Sequence, residues 1–453
     1  MTGSLLLRNG LIIDPDPGTD NEINIGTARK CNGNPRHGLV KRDIRIKDGI
    51  ITEIAPTIEP GEDEQIYEAE GLFVSPGFID LHTHLRDFDQ SAKEDFRTGS
   101  QAAAAGGFTT VLTMANTIPT TDSLTMVENA FNRIAEKAVI RVLPIACVTK
   151  DMQGEQLTEM ARLADMGVPA FSDDGLPVSN LAVLRHALEY SNLSGKPIIS
   201  HPEDMHLSQG GCINESLVST RLGLPGIPGM SESACIAREI EIVRGTGCHL
   251  HFAHVSTASS VKLIADAKAA GLKVTAEAAP HHLVLCDEDI TEYDTRYKMN
   301  PPLRSACDRD AVVAALIDGT IDTVATDHAP HTSEEKSRPF EAAPFGIIGL
   351  ETAFSLVFEL LFKKHDLPLS FVSHRLSTAA ARVIGFSDPA IRIGGKADIA
   401  IIDPDRRWVY STKDSFSKSS NSPFDGRELS GKVVSTIYQG NIVYRDSSST
   451  VTN

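Results

Sequence analysis

No stretch of this chain reaches the roughly 18 consecutive apolar residues that a membrane-spanning helix needs. The first residues, MTGSLLLRNGLIIDPD, also lack the basic start, long apolar core and small-residue cleavage site of a secretory leader. Cysteine is scarce and unpatterned: Cys31, Cys147, Cys212, Cys235, Cys248, Cys286 and Cys307 form no CxxC pair among 453 residues. An odd number at such spacings suits neither a disulfide framework nor a zinc finger, and points to a reducing, cytoplasmic setting. Positive charge is in deficit, with 43 Lys and Arg against 60 Asp and Glu and a formal charge of −17. Without a basic field, nucleic acid and anionic membrane are excluded as main partners, whereas a small anionic substrate held by a local cation is not. No period recurs, so no repeat architecture is expected.

What the chain does have is two textures. From residue 4 to 75 short β runs are broken by turns (SLLLRNGLIID, DIRIKDGIITEIA, EAEGLFVSPG), with a Gly-, Asn- and Asp-rich excursion at 19–41. From 77 to 365 apolar β runs alternate with helical stretches, several of which end in glycine as helix C-caps do. The strands read FIDLHTH, TTVLTMAN, IRVLPIACV, VPAFSDD, KPIISHP, HLHFAHV, KVTAEAAPHH and TVATDHA. Eight strands with intervening helices predict an α/β chain built on a (β/α)8 TIM-type barrel. From about 390 the β texture returns (IRIGGKADIAIIDP, RRWVYS, GKVVSTIYQGNIVYRD). The division predicted is 1–75 and 389–453, pairing into one small β-sandwich domain, around a metal-dependent barrel at 76–388.

Polar residues fall at the same end of strand after strand. His82 and His84 close the first, Asp173 and Asp174 the fourth, His201 the fifth, His254 the sixth, and Asp327, His328 and His331 the eighth. Barrel active sites are assembled at the C-terminal strand ends. On a strand, i and i+2 point to one side, so His82 and His84 aim two imidazoles at one point. Any one of these groups has a bland reading: a satisfied core histidine, a turn-forming Asp in DDG, a helix cap in TDHAPH. Together they make a donor set for zinc. Four histidines and two aspartates exceed one open zinc site and suit two metals sharing a bridging carboxylate and hydroxide, which would activate water and polarise a carbonyl.

GFIDLHTHLR, KEDFRTGSQAAAAGGFTT, MANT, FSDDG, SHPED, HVST, KMNPPLR, TDHAPH and PFGIIGLET together resemble the class I dihydroorotases of the amidohydrolase superfamily, over nearly the whole chain and in order. TDHAPH with KMNPPLR carries the specificity; HxH alone indicates only the superfamily. The resemblance implies a zinc-dependent cyclic amidohydrolase that interconverts N-carbamoyl-L-aspartate and L-dihydroorotate, the third step of pyrimidine synthesis. It implies that His82, His84 and Asp327 hold one Zn2+ and His201 and His254 the other. Many superfamily members bridge the metals with a carboxylated lysine. The fourth strand here has none, and the bridging position matches Asp174, with Lys150 after the third strand as the rival. The resemblance places Arg86 and Asn116 on the substrate carboxylate, with His84, Asn300, His331 and the backbone of Phe345 and Gly346 completing the pocket. Metal-activated hydroxide would attack the ring amide, Asp327 taking its proton and returning it to the leaving nitrogen. HTSEEKSRPFEAAPFG is expected to act as a mobile flap. A homodimer, and association with aspartate carbamoyltransferase, are partner expectations of the same origin.

The chain departs from the family at Asp87-Phe88-Asp89, where Glu-Pro-Gly is usual, with the length of the turn kept. Two rivals remain. Hydantoinases, dihydropyrimidinases and allantoinases share the architecture but use the carboxylated lysine and lack a ring carboxylate for Arg86 to hold. A non-catalytic scaffolding homologue would have lost metal ligands, and this chain keeps the set.

Overall fold

The computed structural model describes residues 4–13 and 39–446, so the excursion at 19–41 lies outside them up to residue 38, as does Cys31. Five strands open the chain: β1 (Leu5–Ile12), β2 (Val40–Lys47), β3 (Ile50–Ala55), β4 (Gln65–Glu68) and β5 (Phe73–Pro76). There follow β6 (Phe78–Thr83), β7 (Phe108–Thr113), β8 (Arg141–Pro144), β9 (Ile198–Ser200), a short parallel pair β10 (Ile213–Asn214) and β11 (Gly226–Ile227), then β12 (Leu250–Phe252), β13 (Val274–Ala278) and β14 (Thr323–Val324). The last strands are β15 (Ile399–Val409), β16 (Glu428–Tyr438) and β17 (Asn441–Arg445). β15 fuses the end of the run IRIGGKADIAIIDP with the start of RRWVYS, which the sequence pattern separates.

Both chain ends meet in one eight-stranded sheet, in the order β17-β16-β15-β5-β1-β2-β3 with β4 on β1. The join is antiparallel, with Val74 of β5 opposite Ile401 of β15. Period-two alternation shows how this sheet is fastened to the rest. Ile399 and Ile401 pack with Leu5, Leu7, Ile44 and Ile46 in the sheet's own core, while Ala400 and Ile402 enter the main core.

The middle strands pair in parallel as β6-β7-β8 and as β9-β12-β13-β14. Parallel bridges at Phe171, to Ala146 on one side and Ile198 on the other, join the two ladders, and a bridge from His328 to Thr83 returns to the end of β6. The run VPAFSDD, predicted as a full fourth strand, supplies only that bridging residue; Pro169 has no N–H to continue a ladder. β6 and β7 are buried at every position, as strands covered on both faces must be. Gly195, Gly247 and Gly319 close the helices Leu181–Ser194, Met230–Thr246 and Ala306–Asp318 in the left-handed conformation that glycine adopts without steric cost. No described helix is long and apolar enough to cross a membrane.

Candidate metal and substrate site

The two histidines of FIDLHTHLR are positioned from behind. Asp80, within β6, accepts the His82 amide (3.0 Å) and also the amide (3.0 Å) and hydroxyl (2.6 Å) of Thr326, tying β6 to the residue before Asp327. Burial pushes the Asp80 carboxyl up to about 7. The His82 ring meets Glu277 of β13 through Nδ1 (2.8 Å), and the His84 ring meets the Asn116 side-chain carbonyl through Nδ1 (3.0 Å). A carboxylate and a carbonyl only accept, so both rings carry their proton on Nδ1 and aim an Nε2 lone pair at the centre.

At that centre sit two carboxylates. His84 Nε2 is 3.1 Å from Asp327 Oδ1 and 3.5 Å from Asp174 Oδ2. His82 Nε2 is 3.4 Å from Asp174 Oδ1 and 3.5 Å from Asp327 Oδ1. Opposite them, His201 Nδ1 lies 2.9 Å from His254 Nε2 and 3.4 Å from Asp174 Oδ1. His201 Nε2 donates to Glu203 (2.8 Å). All six side chains are buried.

These donors fit a divalent cation. His82 Nε2 and Asp174 Oδ1 are buried with no hydrogen-bond partner. Lone pairs facing lone pairs in a dry site repel unless a cation or proton stands between them. The ligand atoms of His82, His84 and Asp327 lie within 4.8 Å of one another, as do those of His82, Asp174 and His254. The second group closes through His82 as well as His254, with His201 against it. The electrostatics agree in direction. With a proton in the cation's place on the facing rings, the push of burial to raise Asp174 and Asp327 is outweighed, and both stay well below the usual carboxylate range. Burial works to lower His201, and Asp174 with Glu203 takes it up to about 10. Whatever positive charge enters, two ionised carboxylates await it.

Beside this cluster opens a cavity of about 390 Å³, lined by every residue expected in the site except His82. Arg86 is buried in its wall, and burial pulls its pKa down to about 10. Its Nε has no partner, and among the described residues no carboxylate comes within 4.0 Å of the guanidinium. Its near neighbour, His331 at 3.5 Å, donates its Nε2 proton to the Phe345 carbonyl (2.8 Å). Burial, then Arg86 and Lys93, hold His331 down to about 3, so the ring is neutral. Asn116 accepts from His84 and turns its Nδ2 to Asp174 (3.2 Å). Arg86, His254 and Asp327 all have positive φ (56°, 33° and 48°), a conformation that costs about 1–3 kcal/mol for a non-glycine residue and concentrates at working sites.

Other residues sort themselves out. Asp173 turns away and accepts the amides of Val148 (2.8 Å) and Thr149 (3.2 Å) and the Thr149 hydroxyl, so it anchors the loop after β8. Lys150 is exposed and makes no contact with the cluster. The departure at Asp87-Phe88-Asp89 is held by Asp87, which is fully buried, accepts the amides of Phe88 (2.7 Å) and Phe96 (3.2 Å), and pairs with Arg133 and with Lys137 (2.8 Å). The segment expected to act as a flap is fastened from below. Lys298 Nζ donates to the carbonyls of Phe340, Glu341 and Ala343, and Lys336 Nζ to those of Lys298, Pro344 and Gly346.

Sequence reasoning missed the supporting groups. Glu277 of β13 accepts from both His82 and His251 (3.1 Å), all three buried, and the ring of His251, on β12, continues to the half-buried Thr275 (2.8 Å). The available signal was a charged residue at an inward position of a strand, in VTAEAA and HLHFAH. Glu203, in SHPED, was equally visible and passed over.

Residues 71–260 match the family model described as Dihydro-orotase-like. A dihydroorotase from Citrifermentans bemidjiense is 42% identical over 442 residues, 98% of this chain and 100% of that one. A dihydroorotase from Bacillus pumilus is 43% identical over 407 residues, 90% of this chain and 95% of its own. Among solved structures, the L-hydantoinase (dihydropyrimidinase) from Arthrobacter aurescens superposes with a TM-score of 0.84 at 23% identity, covering 100% of this chain and 98% of that chain. A dihydropyrimidinase from Brevibacillus agri gives 0.82 at 23%, with 98% and 95% covered. At that identity the hydantoinases share a fold and no more, while the near-complete sequence match lies elsewhere: the chain belongs to the dihydroorotase family.

Proposed function

We propose that this protein is a dihydroorotase, opening L-dihydroorotate to N-carbamoyl-L-aspartate and closing it in reverse, within pyrimidine synthesis. The observation that carries the reading is the buried, carboxylate-free Arg86 beside a cluster of four imidazoles and two carboxylates. A desolvated guanidinium with no carboxylate in contact calls for an anionic ligand, and its planar fork matches a carboxylate.

His82, His84 and Asp327 would hold one Zn2+, and His201 and His254 the other, with Asp174 between them. When bound, such ions supply Lewis-acid polarisation of the ring carbonyl and activation of water at neutral pH. Arg86, Asn116 and His331 seat the substrate carboxylate, and the Phe345–Gly346 backbone borders the ring. Asp327 begins ionised. As the water oxygen bonds to C4, Asp327 takes its proton. As the C4–N3 bond breaks, the same carboxyl returns the proton to N3, leaving a ureido group and a carboxylic acid that ionises by releasing water's second proton to solvent. In the closing direction the ureido nitrogen attacks and Asp327 works in reverse.

The parallel ladder that returns to β6 is read as a (β/α)8 barrel at 76–388, and the terminal sheet as a β-sandwich of 1–75 and 389–453. A homodimer in the cytoplasm, free to associate with aspartate carbamoyltransferase, is proposed on family grounds and on the six unpaired cysteines of the described residues. The test is ring opening of L-dihydroorotate followed by ultraviolet absorbance, with chelator and with zinc restored. Opening lost to chelator and regained with zinc is expected. No opening by folded, zinc-loaded protein would refute the reading.

A further inference from the structure

Glu203 is buried and does not itself line the cavity; it stands behind two residues that do. Its Oε2 receives two bonds: from His201 Nε2 at 2.8 Å and from Asn300 Nδ2 at 2.8 Å. The first bond fixes a proton on Nε2, so Nδ1, which faces Asp174 and His254, is the nitrogen that gives up its proton to take a metal. The second uses the amide end of Asn300. Reversing that side chain would set its carbonyl against a carboxylate, so the carbonyl oxygen is the end left for the cavity that Asn300 lines.

We propose that Glu203 is a positioning residue that sets a metal ligand's tautomer and a substrate contact's polarity through one oxygen. Asn300 therefore presents an acceptor, and the ligand group it selects is a donor, a ring N–H, across the cavity from the guanidinium of Arg86. This rests on the dihydroorotase reading for the identity of the ring, and on the hydrogen bonds alone for the direction of each contact.

The experiment compares Glu203→Met, which keeps the length and removes the acceptor, with Glu203→Gln, whose single carbonyl can accept both bonds. Zinc affinity is measured by competition with a chromophoric chelator, and KM and kcat with L-dihydroorotate. Glu203→Met is expected to bind zinc about 10- to 100-fold more weakly, as loss of a partner behind a metal-ligating histidine does. At saturating zinc its KM should rise about tenfold, the worth of roughly one hydrogen bond. Adding Asn300→Ala to Glu203→Met should raise KM little further, because both changes remove the same contact. Glu203→Gln should keep KM within about threefold and also secures the test if the methionine variant fails to fold, since a KM in Glu203→Gln raised as far as in Asn300→Ala overturns the proposal. Unchanged zinc affinity in Glu203→Met, or KM effects that multiply with Asn300→Ala, also overturns it. Wild-type protein that binds zinc but opens no dihydroorotate strikes the functional reading instead, and the zinc titrations still decide the tautomer.

Discussion

Replacing Arg86 by methionine should make the metal-free protein more stable while nearly abolishing its use of dilute substrate. The guanidinium is buried and unpaired by any carboxylate within 4.0 Å. The effective cost of desolvating an ion in a protein is several kcal/mol, and only a close partner recovers most of it. Asp327 and Asp174 attract Arg86 from a distance and return part of that cost. Methionine keeps the apolar stem in place and removes the charge, so the net gain in unfolding free energy should be about 2 kcal/mol. On the functional side, a bidentate contact to a carboxylate comprises two charge-assisted hydrogen bonds of roughly 1.5–3 kcal/mol each. Asn116 and His331 remain to hold the anion, so the low end applies, and about 3 kcal/mol corresponds to roughly a hundredfold in kcat/KM. Arg86→Lys, with charge but no fork, should fall between. Urea denaturation of chelator-treated protein measures the first effect and steady-state ring opening the second. A methionine variant that loses more than about 1 kcal/mol of stability, or whose KM stays within threefold, would refute the claim that Arg86 is held unpaired for a substrate anion.

Asp327→Asn should leave the thermal melt of the folded protein in place and lower kcat by about 10²–10⁴, the usual worth of a positioned proton carrier; near-normal turnover would remove Asp327 from that role. Gly346→Ala should cost about 2 kcal/mol or more and raise KM. Gly346 has φ +131°, an added Cβ would meet Ala329 Cβ at 2.7 Å, and Lys298, Lys336 and Asn421 hold its backbone in place; a variant with unchanged melting and KM would count against that tight fit. Acid stability should depend on Glu64. Burial works to raise its carboxyl, but bonds from Arg45 (2.9 Å), Gly61 and Ser4 bring it down to about 2. A folded-state value below the ordinary one, about 4.3, contributes stability that is full above that pH and lost as pH falls toward about 2. Glu64→Gln should flatten the acid limb of a stability–pH curve in that window and nowhere else.

The histidines and Asp327 were legible because strand geometry and fold topology act together. Alternation sends His82 and His84 to one side, and each polar strand end contributes to the same mouth, so position along the chain already predicts position in space. The fourth strand was legible as a location but not as a ladder, because Pro169 removes an N–H that periodicity does not register. The partners behind the ligands were illegible for a different reason. Glu277 stands 195 residues from His82, and nothing in VTAEAAP says which ring its carboxylate will meet. Asp87 gives the same lesson in reverse. Its departure from the family's Glu-Pro-Gly looked like a weakness in the turn, yet Arg133 and Lys137, from the helix Leu124–Lys137, satisfy it.

The adjacent pair Asp173-Asp174 shows how one residue of separation divides structure from chemistry. Both are buried carboxylates at the same loop, and their chain neighbours alone do not distinguish them. Asp173 accepts three donors from Val148 and Thr149, and burial holds its pKa up at about 6 even so. Its oxygens are already occupied, so binding a cation there would break the anchor of the loop after β8. Asp174 points the other way, keeps Oδ1 without a partner, and is driven well below the ordinary carboxylate range by His82, His201 and His254. A group that is satisfied by amides is structural, and a group held ionised among imidazoles with an oxygen unpartnered is waiting for a cation. Exchanging the roles should therefore be impossible. Asp173→Asn should lower stability through the loop and retain high-affinity zinc, whereas Asp174→Asn should retain the fold and lose zinc. The two variants compared by thermal melting and by zinc competition decide the matter, and equal zinc loss in both would mean that the cluster is held by the loop as a whole rather than by Asp174.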